Sequence, residues 1–304
     1  MKNKLLLLVI TATLCGCSNQ PYEHNLTIIS PTGAPAMAFY KYAQDPNYET
    51  NSDASNIVPM MVKGQKDVVV LPTNVGVNSI ITKKLEYKIA ATITFGNLYV
   101  AATGHDDDGI MDKDDYIVLF QQNSVPDLIF HSVYGTSLDE GVHYVGNVQF
   151  AAQCLKTGKD VTSNNEDVDY VLIAEPAFSN VKASKESVSE YSDLQKLYKE
   201  KYGTEIFQAS LFVKNGADAH SLLSSLEDDV KKGLENPDLI KEGMSLKEKA
   251  SDFYGVGPEM AAKVTKNNNR MGLGFKYAKD NKEGIDKFLS VFGINATSEE
   301  IYYK

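Results

Sequence analysis

The sequence predicts an α/β protein of two Rossmann-like lobes joined by two crossings, with a helical C-terminal region packed on the first lobe. Three observations carry this. Short apolar, β-branched runs recur, each ending in a polar loop that opens a helix-forming segment. That strand, loop and helix unit restarts after an acidic stretch near residue 110. From residue 218 onward the pattern is almost wholly helical, with apolar positions three and four apart.

The leading unit is LTIISPTGAPAMAFYKY at 26–42: an apolar run, a break at 30–35, then a helix-forming run with Pro35 suited to a first helical turn. Such a junction aims unpaired backbone N–H groups beyond the strand's carboxyl end, where a small polar or anionic ligand can sit. Residues 56–62 (NIVPMMV) read as a second strand with Pro59 at an edge or bend, and 67–71 (DVVVL) as a strand buried on both faces. The latter runs into Pro72-Thr73-Asn74-Val75 and a helix to Lys84. Residues 87–94 and 98–103 are further strands, split by Phe95-Gly96-Asn97.

The acidic run 106–115 reads as a solvated hairpin; it fits a calcium loop poorly, with Gly104 at the first ligand position and Asp115 at the last. The second lobe then carries strands at 116–120, 142–145 and 169–174, with helices opening at Pro126, Asn147 and Glu175-Pro176. Residues 206–213 read as a strand returning to the first lobe. The boundaries expected are 26–110 and 209–304 for the first lobe and 111–208 for the second, with crossings near 104–116 and 204–210.

At 304 residues and 43% hydrophobic content the chain builds two real cores, and a net charge of −10 argues against nucleic acid or an anionic membrane face as partner. Residues 1–17 read as a secretion leader: Lys2 and Lys4, an apolar stretch at 5–10 too short to span a bilayer, and Leu14-Cys15-Gly16-Cys17, which matches a bacterial lipobox. Cys17 is then acylated and residues 18–25 form a polar tether; a cleaved leader without lipid stays open as the alternative. This makes the protein extracytoplasmic and lipid-anchored. Only Cys154 remains thereafter, read as a buried small hydrophobe with no disulfide partner.

The lipobox at Cys17, SPTGAPAMAFYKY at 30–42, DVVVLPTNVGVNSI at 67–80 and YVLIAEPAFS at 170–179 resemble the solute-binding lipoproteins of ABC importers with the type II periplasmic-binding-protein fold. Within these the chain is most similar to the nitrate, sulfonate and thiamine-precursor (taurine-type) branch. The resemblance implies a monomer that captures a small polar solute, neutral or anionic, between its lobes and delivers it to a membrane permease, with no cofactor and no chemistry. It departs from amino-acid-binding relatives in having no arginine in the second lobe. Its single arginine, Arg270, is read as a surface or tail-docking residue, with a ligand contact as the alternative.

On that fold, five loops converge on the cleft: Ser30, Thr32, Gly33 and Ala34; Thr73, Asn74 and Val75; Thr94, Phe95 and Asn97; Gln122, Asn123 and Ser124; and Glu175. Each polar member has a plainer reading as a helix cap, worth about 1 kcal/mol. Glu175 either accepts a hydrogen bond from a ligand amine or favours the helix start it precedes, and Phe95, Tyr99 and Tyr40 either stack on a planar ring or fill the core. The five histidines show no metal spacing, and no nucleophile elbow or phosphate-binding glycine loop is present. The competing functions are a sensory or adhesive surface lipoprotein and a pyrimidine-forming enzyme on the same scaffold.

Overall fold

The computed structural model describes residues 24–106, 108–163, 165–295 and 299–304. Cys17 and the expected leader lie outside the described residues. In chain order the elements are β1 (Ile28–Pro31), α1 (Ala34–Met37), β2 (Tyr48–Asn51), α2 (Ile57–Val62), β3 (Val68–Pro72), α3 (Thr73–Lys83), β4 (Tyr87–Thr94), β5 (Leu98–Ala102), β6 (Ile117–Phe120) and α4 (Val125–Tyr134). They continue with β7 (Val142–Val145), α5 (Val148–Thr157), β8 (Tyr170–Ala174), α6 (Ala177–Lys182), β9 (Ser189–Asp193), α7 (Leu194–Tyr202) and β10 (Ala209–Lys214). The helical tail is α8 (His220–Glu235), α9 (Asp238–Ser245), α10 (Ala250–Tyr254), α11 (Pro258–Lys266) and α12 (Lys282–Ser290), interrupted by β11 (Leu273–Tyr277).

Two sheets organise these. The first runs β11-β4-β10-β3-β1-β2 and the second β7-β6-β8-β5-β9. In β3 the pleat divides the side chains: Val69 and Leu71 join one core, Val68 and Val70 the other. Phe212 and its neighbours Leu211 and Val213 on β10 split the same way. Both faces of the first sheet are therefore buried, which is why its strands read as unbroken apolar runs. Helices α8, α9 and α11 supply the second of these cores, while Ile285, Phe288 and Leu289 of α12 belong to the first, which continues into the second lobe.

Two expectations are corrected. Residues 57–62 form a helix, not a strand: Ile57 and Met61, four apart, are fully buried while Pro59 and Val62 between and beyond them face solvent. Pro59 sits in the first turn, where a missing N–H costs nothing, and the edge position belongs to β2, parallel to β1 with Ile28 beside Tyr48. The first crossing is the second correction. Residues 98–102 pair antiparallel with β8 and β9 in the second sheet, so the chain changes lobe at Phe95-Gly96-Asn97 rather than at 104–116. Gly96 supplies the left-handed backbone there, at φ 97°. The acidic run stays in the second lobe and folds on itself, with Asp106 accepting from the Asp108 and Gly109 amides and Asp115 from the Asp112 amide.

Candidate functional site

The carboxyl ends of β1, β3 and β4 and of β6 and β8 are the places where polar loops leave each sheet. Their residues fall into two groups. In the opening loop the polar groups are used inside the first lobe. Ser30 Oγ bonds Tyr48 Oη at 2.7 Å, the Thr32 amide donates to Asn51 at 3.0 Å and the Gly33 amide to Tyr254 at 2.7 Å. Ala34 is buried at the start of a helix of only four residues. The Thr32 and Gly33 amides that the sequence offers to an anion thus have backbone acceptors already.

The second group forms a continuous buried seam. The Thr73 amide donates to Gln208 O and the Gln208 amide to Thr94 O. Gln208 Nε2 donates to Asn97 Oδ1 at 3.1 Å, and Asn97 Nδ2 to Glu175 O at 3.0 Å. The Glu175 amide returns a bond to Asn97 O at 2.9 Å. Side chains thereby run from the first sheet to the loop after β8 without a break. Beneath them Ser210 Oγ bonds both Thr73 Oγ1 (2.7 Å) and Thr92 Oγ1 (2.8 Å).

Several buried polar atoms have no protein partner among the described residues, among them Asn74 Oδ1, Thr94 Oγ1 and Gln208 Oε1 at the seam, Arg270 Nη2 beside it and Ser124 Oγ at the start of α4. Burying such groups unpaired costs about 1–3 kcal/mol each, so native proteins keep them where a ligand or water completes them. Asn74, Thr94 and Ser124 are residues the sequence picks out. Ser124 sits at the N-cap of α4 yet makes no side-chain capping bond, so the plain capping reading does not account for it. Val75 is half-buried beside Asn74, while Gln122 and Asn123 are exposed. Asn123 has a left-handed backbone at φ 61° and its amide is held by Asp127 Oδ2 at 2.6 Å.

Phe95 is half-buried, packed against the first core and edge-on to Phe207 with centroids 5.6 Å apart. Tyr99 and Phe178 stack at 5.8 Å, and Tyr40 is buried with its hydroxyl donating to Asp229 O. Glu175 accepts from the Ser179 amide (3.0 Å) and Ser179 Oγ (2.9 Å), which fixes the start of α6. Its side chain is fully buried and also meets Arg270 Nε at 2.7 Å. Arg270 is therefore not a surface residue, a correction to the sequence reading. Its Nη1 reaches Glu190 Oε2 at 2.5 Å and its guanidinium carbon lies 3.8 Å from the Tyr99 ring centre. Burial works against its charge, but the hydrogen bonds to Glu175 and Glu190 outweigh this and hold its pKa above the ordinary value. Burial pushes the Tyr99 hydroxyl well up, with Asp193 adding to the shift and Arg270 opposing it.

Beside the seam lies a cavity of about 400 Å³, lined by Phe95, Tyr99, Asp193, Gln195, Glu205 and Phe275 among others. Glu190, Gln195 and Gln208 were missed by sequence reasoning. Arg270 alone carries a signal, as the single arginine in a chain with 30 basic residues.

Two α/β sheets, a chain that passes twice between them and strand ends that face each other across a polar seam define the architecture. This is the periplasmic-binding-protein fold. Solved structures agree: an ABC transporter from Parabacteroides distasonis superposes with a TM-score of 0.71 at 15% identity, covering 92% of this chain and 99% of that one. The periplasmic aliphatic sulphonate-binding protein of Escherichia coli gives 0.63 at 12% identity, over 88% and 86%. A desulfurization enzyme, DszB, shares the fold at 0.56 and 9% identity, over 90% and 96%. By sequence, no family model and no curated protein matches the chain. The binding-protein fold thus accommodates both transport proteins and an enzyme, and the seam has to speak for the function.

Proposed function

We propose that this protein is the extracytoplasmic solute-binding component of an ABC importer, anchored by lipid at Cys17, that closes its two lobes on a small polar solute and presents it to a membrane permease. The observation that carries this reading is the set of buried polar atoms without protein partners among the described residues, contributed by Asn74, Thr94 and Gln208 at the seam and by Ser124 at the start of α4 in the second lobe. A solute that completes hydrogen bonds on both sides binds the closed form better than the open one, and that difference in affinity is what drives closure.

The chemistry favours a neutral solute. Two of the three nitrogens of the single arginine are taken by the Glu175 and Glu190 carboxylates, whose charge would repel an anion brought to the third. Hydroxyl and amide groups remain, which suit carbonyl, hydroxyl or amine functions. Native mass spectrometry of gently purified protein, followed by release and identification of the bound molecule, tests this. The reading expects one small solute recovered unaltered after prolonged incubation; a converted product would favour an enzyme instead. Replacing Cys17→Ser is expected to move the protein from the membrane to the soluble fraction, and unchanged partitioning would remove the lipid anchor.

A further inference from the structure

Arg270 stands on the turn between α11 and β11 in the first lobe, and every group its guanidinium meets belongs to the second. Glu175 follows β8, Glu190 lies in β9, and the ring it stacks on, Tyr99, lies in β5. A planar fork that serves two carboxylates and an aromatic face together is specific to arginine; a lysine ammonium cannot reproduce it.

The base of this arm is fixed. The turn uses left-handed backbone at Asn268, Asn269 and Gly272 (φ 53°, 50° and 63°). Asn269 Nδ2 donates to Leu273 O at 2.7 Å, and the Phe95 amide donates to Gly272 O at 2.7 Å. A Cβ on Gly272 would stand 2.0 Å from Gly96 O, so only glycine lets the turn lie against the first crossing. The arm is therefore rooted where the lobes are joined and reaches into the second lobe, so its ion pairs span the two.

We propose that Arg270 is a closure latch: its capture by Glu175 and Glu190 holds the two lobes together across the seam. An open–closed equilibrium is balanced finely enough for one partly buried ion-pair group to shift it. The consequence for solute capture rests on the binding-protein reading, but the latch itself does not, and it is testable without any solute.

The experiment is small-angle X-ray scattering on protein freed of any co-purified solute by unfolding and refolding, at low and high salt. The wild type is compared with Arg270→Ala, Arg270→Lys and Glu190→Gln, and circular dichroism checks that each is folded. The latch predicts a larger radius of gyration for Arg270→Ala at both salt concentrations, and intermediate values for Arg270→Lys and Glu190→Gln. It also predicts that salt expands the wild type while leaving Arg270→Ala unchanged, because screening acts on the charges that close it. Wild-type dimensions in Arg270→Ala overturn the proposal. If Arg270→Ala fails to fold, Glu190→Gln decides alone, since Glu190 is one-third exposed and removable; wild-type dimensions there overturn it equally. Because no solute enters, a failure here leaves the solute-binding reading to its own test.

Discussion

Ser30 and Thr94 are both fully buried hydroxyls near the carboxyl ends of strands in the same sheet. Ser30 Oγ is bonded to Tyr48 inside its own lobe, whereas Thr94 Oγ1 has no protein partner among the described residues. Gly33 and Asn97 differ in the same way: the first gives its amide to Tyr254 in its own lobe, the second links Gln208 to Glu175 across the lobes. Residue type and strand-end position are alike in the two regions. What separates a structural loop from a binding surface is where the donors and acceptors go once the chain has folded.

The sharpest way to break this contrast is at Glu175. Glu175→Ala removes the acceptor for the Ser179 amide, for Ser179 Oγ and for Arg270 Nε, leaving a mostly buried guanidinium with Glu190 alone. A stability loss of about 2–3 kcal/mol by urea denaturation is expected, accompanied by loss of solute binding. Asp160 is the control within one lobe. It is buried and accepts from Tyr116 Oη, the Thr162 amide and Thr162 Oγ1, each at 2.8 Å.

Burial alone would raise the Asp160 pKa, but those donors outweigh it and hold the carboxyl below its ordinary range. A depressed folded-state pKa stabilises above the unfolded value, near 3.9, and that contribution is lost as pH falls through the folded value. Asp160→Asn is expected to cost roughly 1.5 kcal/mol at neutral pH, to weaken the acid dependence of stability below about pH 4, and to leave solute affinity untouched. An effect on affinity would blur the distinction drawn here.

Smaller effects come from single hydrogen bonds. Asn74→Ala on the seam is expected to weaken solute binding by about fivefold to tenfold, the equivalent of about 1 kcal/mol, measured by isothermal titration calorimetry. Ser30→Ala in the opening loop should cost about 1 kcal/mol of stability with affinity unchanged. Gln122→Ala, at an exposed position, should alter neither.

The sequence made much of the fold legible because buried strands and glycine- or proline-marked loops are local signals: 67–71, 87–94, 117–120 and 170–174 all appear as strands within a residue or so. The run 57–62 misled because six apolar and β-branched residues look alike to a period of two and a period of 3.6 over so short a span. The first crossing was misplaced because sheet membership of 98–102 depends on partners far along the chain. Asn74, Thr94 and Ser124 were legible as polar residues at helix starts. Arg270 and Glu175, 95 positions apart, form a contact that no local pattern encodes, and separations of 111 and 80 positions likewise hid Gln208 and Glu190.

Hydrogen–deuterium exchange with and without the co-purified solute tests the central claim most directly, because it reads both sides of the seam in one experiment. The account predicts that amides at 94–97 and 206–208 on one side, and at 122–125 and 175–179 on the other, slow together on binding, while 30–34 is unaffected. Protection confined to one lobe, or centred on 30–34, would contradict it.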